Sequence, residues 1–159
     1  MAIFNRSSNI PGQLTELLER RERVLAWSEH HGGLIAATTL GILSTDAHES
    51  KRIPWTQTLS AKWDAPLLTV AVAPDLSTMG WMISEPGQLP AVIRDRVTSG
   101  VVVDRIRLFN EHEVRFIAHR AQQGIEWLTI AQDPDWAATP IGASSIESEL
   151  AQLRSTLGI

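Results

Sequence analysis

The arginines in the second half of the chain are the most concentrated group of side chains that could bind a ligand. Six of the fourteen Lys and Arg residues lie between residues 94 and 120. Four of these six are predicted on one β-hairpin and are our candidate ligand-binding residues: Arg105, Arg107, Arg115 and Arg120. The planar guanidinium group bonds phosphate oxygens in pairs, so the hairpin could receive a phosphate, a lipid headgroup or an acidic partner segment.

The alternative for this hairpin is an ordinary solvated sheet face. Arg105 and Arg107 share one face of their strand, and Arg115 and His119 share one face of theirs, because strand side chains alternate. A basic patch requires that both pairs point the same way. Neighbouring acids could instead balance the arginines through cross-strand pairs: Asp104, Glu111, Glu113 and Glu126.

Catalytic and metal-binding patterns are missing from the rest of the sequence. It has no Gly-x-Ser-x-Gly motif and no glycine-rich phosphate loop. The five histidines are not spaced as zinc ligands, and there is no cysteine. Asp133 and Asp135 flank a proline, but the glycine and ligand spacing of a calcium-binding loop are absent. We predict no catalytic residue, no metal site and no cofactor, while an enzyme built from scattered polar residues stays an alternative.

Composition narrows the class of protein. The chain has 159 residues, 43% of them hydrophobic and 20% charged, as expected of one globular domain. The net charge is −4 and the middle of the chain is only slightly basic, so nucleic-acid binding is not expected. No apolar run approaches the ~18 residues of a membrane span, and the first residues lack the apolar core of a signal peptide. Together with the missing cysteines, this predicts a cytoplasmic protein.

Residues 52–72 predict a central antiparallel hairpin. Apolar residues occupy nearly every odd position from Ile53 to Trp63, the period of a half-buried strand. Asp64-Ala65-Pro66 is typical of a turn, and Leu67 to Ala73 predict the returning strand. The side chains expected on the buried face are Trp55, Leu59 and Trp63.

The remaining elements are short strands followed by helices. Further strands are predicted over residues 23–29, 34–38, 40–44 and 79–84, and then a helix beginning near Pro90. Three more strands follow over residues 101–109, 113–120 and 125–131, and then a loop over residues 133–142. A capping box from Ser144 to Glu147 predicts the start of the last helix. Its apolar stripe is Ile146, Leu150, Leu153 and Leu157.

Five or six short strands that end on one amphipathic helix, over residues 23–98, resemble a PH-like split barrel. The sequence also looks like a family of uncharacterised actinobacterial proteins, over about three-quarters of its length. The matching pieces are Arg52-Ile53-Pro54-Trp55, Ala61-Lys62-Trp63-Asp64, Glu85-Pro86-Gly87 with Leu89-Pro90, Arg94-Asp95-Arg96-Val97, and Ala118-His119-Arg120 ahead of Trp127. PH-like folds host lipid, peptide and scaffold functions, so this resemblance implies binding without choosing the ligand.

We therefore predict an α+β fold: an antiparallel PH-like split barrel, then a three-stranded antiparallel unit and a C-terminal helix. The predicted boundaries are 1–22 for a tail and short helix, 23–98 for the barrel region and 99–159 for the unit packed on it as one compact domain. The predicted function is a non-enzymatic cytoplasmic binding or scaffold domain. An unknown protein or an anionic ligand is the expected partner, and a homo-oligomer is left open.

Overall fold

The computed structural model describes residues 9–159, and its first part is a four-stranded antiparallel sheet in the order β1-β2-β3-β4. A single-turn helix, α1, precedes this sheet, and its Leu14 is fully buried against Leu34 and Ala36 of β2. The bounds are α1 Gly12–Thr15, β1 Val24–His30, β2 Gly33–Thr38, β3 Gly41–Thr45 and β4 Ser50–Pro54. The predicted tail over residues 1–8 lies outside the described residues.

Gly33 and Gly41 allow the strands of this sheet to approach closely at their ends. A Cβ atom on Gly33 would collide with the backbone of Thr45, and one on Gly41 would collide with the backbone of Ile53. The structural role of Gly41 is this close backbone approach.

A second antiparallel sheet, in the order β5-β6-β7, follows a short 3-10 helix at Trp55–Gln57. The predicted central hairpin is confirmed from residue 58 onward, where Trp63 pairs with Leu68 across the turn. Its first part is wrong, because Ile53 pairs with Ile42 in the first sheet and Trp55 lies in the 3-10 helix. Trp55 is buried as predicted, whereas Leu59 and Trp63 are half-buried. The bounds are β5 Thr58–Asp64, β6 Leu67–Val72 and β7 Ser77–Met82.

Helix α2, Leu89–Gly100, covers the core between these two sheets. Its Leu89, Ile93 and Val97 pack against buried residues of both sheets, including Ile35 and Leu68. Pro90 occupies the first turn, where a missing N–H group removes no helical hydrogen bond. From residue 9 onward, seven strands thus precede α2, one or two more than predicted, because the run from Ile53 to Trp63 divides between two sheets.

The third sheet has the order β10-β9-β8 and carries a two-helix cap. Its core contains Val114 and Phe116 of β9 and Leu153 of the last helix, α4. Ile146 and Leu150 pack there as predicted, but Leu157 remains 43% exposed. The bounds are β8 Val101–Phe109, β9 His112–Ala121, β10 Gly124–Ala131, α3 Pro134–Ala137 and α4 Pro140–Leu157.

The predicted loop over residues 133–142 and the predicted capping box are wrong. Thr139 is the N-cap of α4, and its hydroxyl accepts a hydrogen bond from the Gly142 N–H at 3.0 Å. Pro140 then occupies the first helical position. Ser144 and Glu147 therefore lie inside the helix, where the four-residue spacing has no capping role.

The chain is thus α+β, with antiparallel sheets and a C-terminal helix, and no closed barrel is found over residues 9–159. The third sheet contacts the earlier part of the chain through β8 and β9, which touch α2 and the 3-10 helix. The division at residue 98 and the description as one compact domain stay predictions. Over the same residues, every helix is too short or too polar to cross a membrane.

Candidate functional site

The strand register separates the predicted arginines onto two faces of the third sheet. Arg105 lies opposite Phe116 and Arg107 lies opposite Val114, on the face that α4 covers. Arg115 instead lies opposite Ile106. Directly opposed residues of an antiparallel pair share a face, so Arg115 points away from Arg105 and Arg107. The single four-arginine surface that the hairpin could have presented does not form.

Two of these arginines are held by carboxylates. Arg115 makes a two-pronged contact with Asp104, with N–O distances of 2.8 and 2.6 Å. The hydrogen bonds from Arg115 lower the pKa of Asp104 below its ordinary value. Arg107 donates from Nε to Glu149 of α4 at 2.8 Å. The Arg115–Asp104 contact is a cross-strand pair of the kind that the solvated-face alternative proposed. Glu149 lies in α4 and was not among the acids named for that alternative.

Arg120 lies at the end of β9 and lines a different surface, which we call the arginine cleft. The cleft has a volume of about 590 Å³ and lies between the 3-10 helix, the end of α2 and the β9–β10 turn. Its charged lining residues are Glu19, Arg52, Arg96, Arg120 and Glu126. Of the four predicted ligand-binding residues, only Arg120 lies there.

Arg52 is fixed in the wall of the cleft by a buried carboxylate. Its guanidinium bonds Glu22, donates to the Leu17 carbonyl at 2.9 Å and lies 3.7 Å from Glu19. Burial raises the pKa of Glu22, but hydrogen bonds from Arg52 and Thr38 outweigh this effect, so the pKa is lowered. Glu22 is therefore ionised at neutral pH and holds Arg52 in place.

Arg96 and Arg120 carry positive charge that no ion pair within residues 9–159 neutralises, and Glu19 and Glu126 line the same cleft. Within residues 9–159, neither guanidinium makes an ion pair or a hydrogen bond. Arg120 is exposed and Arg96 is half-buried. Trp55 forms part of the neighbouring wall, and its indole is fixed by a 2.9 Å hydrogen bond to the Thr38 carbonyl. The cleft can therefore hold an anion between two available guanidinium groups.

His119 was predicted to share a face with Arg115, and the register agrees, but its ring is only 1% exposed. Burial lowers the pKa of His119, so the imidazole is neutral at pH 7. Its Nε2 atom has no hydrogen-bond partner within the described chain. His119 therefore adds no positive charge to the hairpin.

The other side chains considered as ligand sites have structural roles. Asp133 caps α3 by accepting from the Trp136 N–H at 3.1 Å, and its carboxylate lies 3.2 Å from His112. Trp136 stacks on His112 and Phe109, with ring centroids 4.5 and 5.6 Å apart. In the part of the chain that the structure describes, no group of three or more His, Asp or Glu side chains could hold a metal ion.

The arginine cleft was not identified from the sequence, because its parts are far apart along the chain. Arg52 was placed in the central hairpin, and Arg96 follows the predicted helix start near Pro90, with no indication that either lies near Arg120. Compared with protein-family models, curated proteins and solved structures, the chain gives no match. The likeness to the actinobacterial family stays a prediction.

Proposed function

We propose that this protein is a non-enzymatic binding domain and that it holds the anionic group of its ligand in the arginine cleft. This proposal is supported by the position of Arg96 and Arg120, which line one cleft and form no ion pair within residues 9–159. A guanidinium group bonds two oxygens of one phosphate at once. Two such groups in one cleft suit a phosphate or a similar oxyanion.

The PH-like expectation for residues 23–98 belongs to the same proposal. It is supported by two antiparallel sheets of four and three strands, followed at once by the amphipathic helix α2. A cytoplasmic location is part of the proposal as well, on the ground that the chain has no cysteine. Folds of this kind carry many binding functions, so the arginine cleft, and not the fold, supports the anionic ligand.

The hairpin is the competing site for an anion. Arg105 makes no ion pair within residues 9–159 and remains available there, whereas Arg107 and Arg115 are bonded to carboxylates. An enzyme remains an alternative that depends on a site of scattered polar residues. The arginine cleft is favoured over the hairpin because both of its unbonded arginines line the same volume.

The test is a calorimetric titration with inorganic phosphate and with a soluble inositol phosphate at low salt. The proteins compared are wild type, Arg96→Gln/Arg120→Gln and Arg105→Gln/Arg107→Gln, two variants that lose the same charge. We expect the cleft variant to bind at least about tenfold more weakly, a change of ~1.4 kcal/mol, and the hairpin variant to bind like wild type. Binding of wild type should weaken as salt is added, because surface contacts with an anion are screened.

Vesicles containing an anionic phospholipid, with neutral vesicles as a control, distinguish a lipid headgroup from a free phosphate compound. Co-sedimentation with the anionic vesicles, lost in the cleft variant, would assign the lipid. Loss of binding in the hairpin variant alone would return the site to Arg105 and Arg107. The proposal would be refuted if the titration of wild type gave no heat of binding and wild type did not sediment with the anionic vesicles.

A further inference from the structure

Strand β8 forms an edge of the third sheet, and its second half is exposed on both faces. In the order β10-β9-β8 its neighbour on one side is β9, and within residues 9–159 no strand lies on the other side. All five residues from Asp104 to Leu108 are exposed. Such an edge presents unpaired backbone N–H and C=O groups to which another extended chain can bond.

The two faces of this edge differ in chemistry. Ile106 is 54% exposed and Leu108 is 68% exposed, and both lie on the face of Arg115. There Ile106 joins Leu76 of the β6–β7 loop and Ile130 in lining a groove of about 600 Å³. Polar residues line the groove as well: Asp104, Arg105, Glu113, Arg115 and Gln132. The charges of Asp104 and Arg115 are bonded to each other. This face therefore suits an apolar side chain of an added strand.

The opposite face of the edge is basic. Arg105 and Arg107 point to it, and Arg107 is partly neutralised by Glu149 of α4. Within residues 9–159, Arg105 donates only to the carbonyl of its neighbour Asp104, at 3.3 Å. An added strand would place side chains directly opposite these arginines, where opposite charges stabilise the pair and like charges destabilise it.

Charge also argues against a second copy of this chain as the added strand. Two copies related by a two-fold axis would pair β8 antiparallel with itself. If the axis passes at residue 105, 106 or 107, the opposed pairs include Arg105 with Arg105, Arg105 with Arg107, or Arg107 with Arg107. Every symmetric register centred on the exposed arginines therefore sets guanidinium groups opposite one another.

We propose that β8 accepts an extended segment of a protein partner by strand addition, and that this segment alternates acidic and apolar side chains. The acidic side chains lie beside Arg105 and Arg107, and the apolar ones lie beside Ile106 and Leu108. Main-chain hydrogen bonds supply affinity in such complexes, and the alternating side chains supply specificity. This surface is separate from the arginine cleft, and neither proposal depends on the other.

The probe is a nine-residue peptide alternating Glu and Val, with blocked ends, and the matched probe replaces every Glu with Lys. Amide hydrogen exchange of the full chain with about 1 mM peptide, the concentration range of weak complexes, should slow at amides of β8. Arg105→Glu should weaken binding of the Glu peptide about tenfold and strengthen binding of the Lys peptide. The same charge reversal at the exposed Arg154 of α4, Arg154→Glu, should change neither.

Leu108→Asp tests the apolar face independently and should also weaken binding of the Glu peptide. Circular dichroism establishes that each variant is folded. The proposal is overturned if the Glu peptide leaves β8 exchange unchanged, if the protected amides lie in another strand, or if Arg105→Glu binds like wild type. Protection of β8 that rises with protein concentration without peptide, together with a dimer in sedimentation, would assign the edge to a second copy instead.

Discussion

A single buried carboxylate, Glu22, determines the position of one arginine in the cleft. Its side chain has no exposed surface and bonds both the Thr38 hydroxyl and the Arg52 guanidinium. It also accepts from the Glu19 N–H at 2.8 Å. A buried charge is tolerated only when its oxygens are bonded in this way, so Glu22 and Arg52 depend on each other.

Glu22→Gln should lower the free energy of unfolding by about 2–3 kcal/mol at pH 7, because hydrogen bonds to charged groups are lost inside the fold. The folded-state pKa of Glu22 lies below its ordinary value of 4.5. Ionised Glu22 therefore stabilises the fold fully at pH values above its ordinary pKa. This stabilisation is lost as the pH falls through the folded-state pKa. Urea unfolding between pH 7 and pH 3 should show a flatter acid profile for the variant.

Glu49→Gln is the matched control, because Glu49 makes an exposed ion pair with Lys51 at 3.0 Å. Exposed pairs contribute little to stability, so no clear change is expected. If the two variants lost equal free energies of unfolding, the contacts of Glu22 would not be a particular source of stability.

The sequence shows which side chains could bind an anion, but it does not show which side chains contact one another in the fold. The sequence indicated correctly that Arg105 and Arg107 share a face, because alternation along one strand is local. Whether Arg115 joins them depends on the register between β8 and β9, and a shift of one residue reverses every side chain. Arg96 and Arg120 meet only through the packing of α2 against the third sheet, a contact between distant segments.

Helix α4 is the element that completes the core of the third sheet. Leu153 is 7% exposed and packs with Val114 and Phe116, whereas Leu157, one turn later, is 43% exposed. The last helix was therefore predicted in the right part of the chain, but its predicted apolar stripe included one residue, Leu157, that does not pack in the core. Its start was predicted too late because Thr139 and Pro140, the real start, were assigned to a loop.

Leu153→Ala should cost about 2–4 kcal/mol, since removing a buried leucine leaves a cavity. Leu157→Ala removes the same atoms from a position that is 43% exposed, and it should cost less than about 1 kcal/mol. Thermal or denaturant unfolding of the two variants measures this difference. Similar losses of stability for both variants would mean that α4 packs a different face against the third sheet.

At the scale of the whole molecule, α2 covers the core between the first two sheets of the described chain, and α4 covers the third sheet. The 3-10 helix and α2 both touch the third sheet. The predicted central hairpin included residues of two sheets because the run from Ile53 to Trp63 keeps a period of two across Pro54 and the 3-10 helix. Periodicity does not show where the chain passes from one sheet to another.

The contacts between the third sheet and the earlier part predict that the chain unfolds in one transition. Leu153→Ala should then lower the midpoint of the whole molecule, including backbone amides of β2 and β6. Amide exchange during denaturant unfolding measures each sheet separately. Two transitions, with β2 and β6 unaffected by the variant, would instead support separate units.

The contacts of Glu22 and Arg52 also determine how the chain resists a protease. Residues 20–23 read Arg-Arg-Glu-Arg, three arginines with exposed side chains that an arginine-specific protease could select. Cleavage requires the backbone to leave the surface and extend into the protease, and a clamped segment must first unfold locally. Here Glu22 in the middle of the segment is held by Arg52 of β4, which also holds the Leu17 carbonyl. The susceptibility of these bonds is therefore governed by one ion pair, and not by the exposure of the arginines.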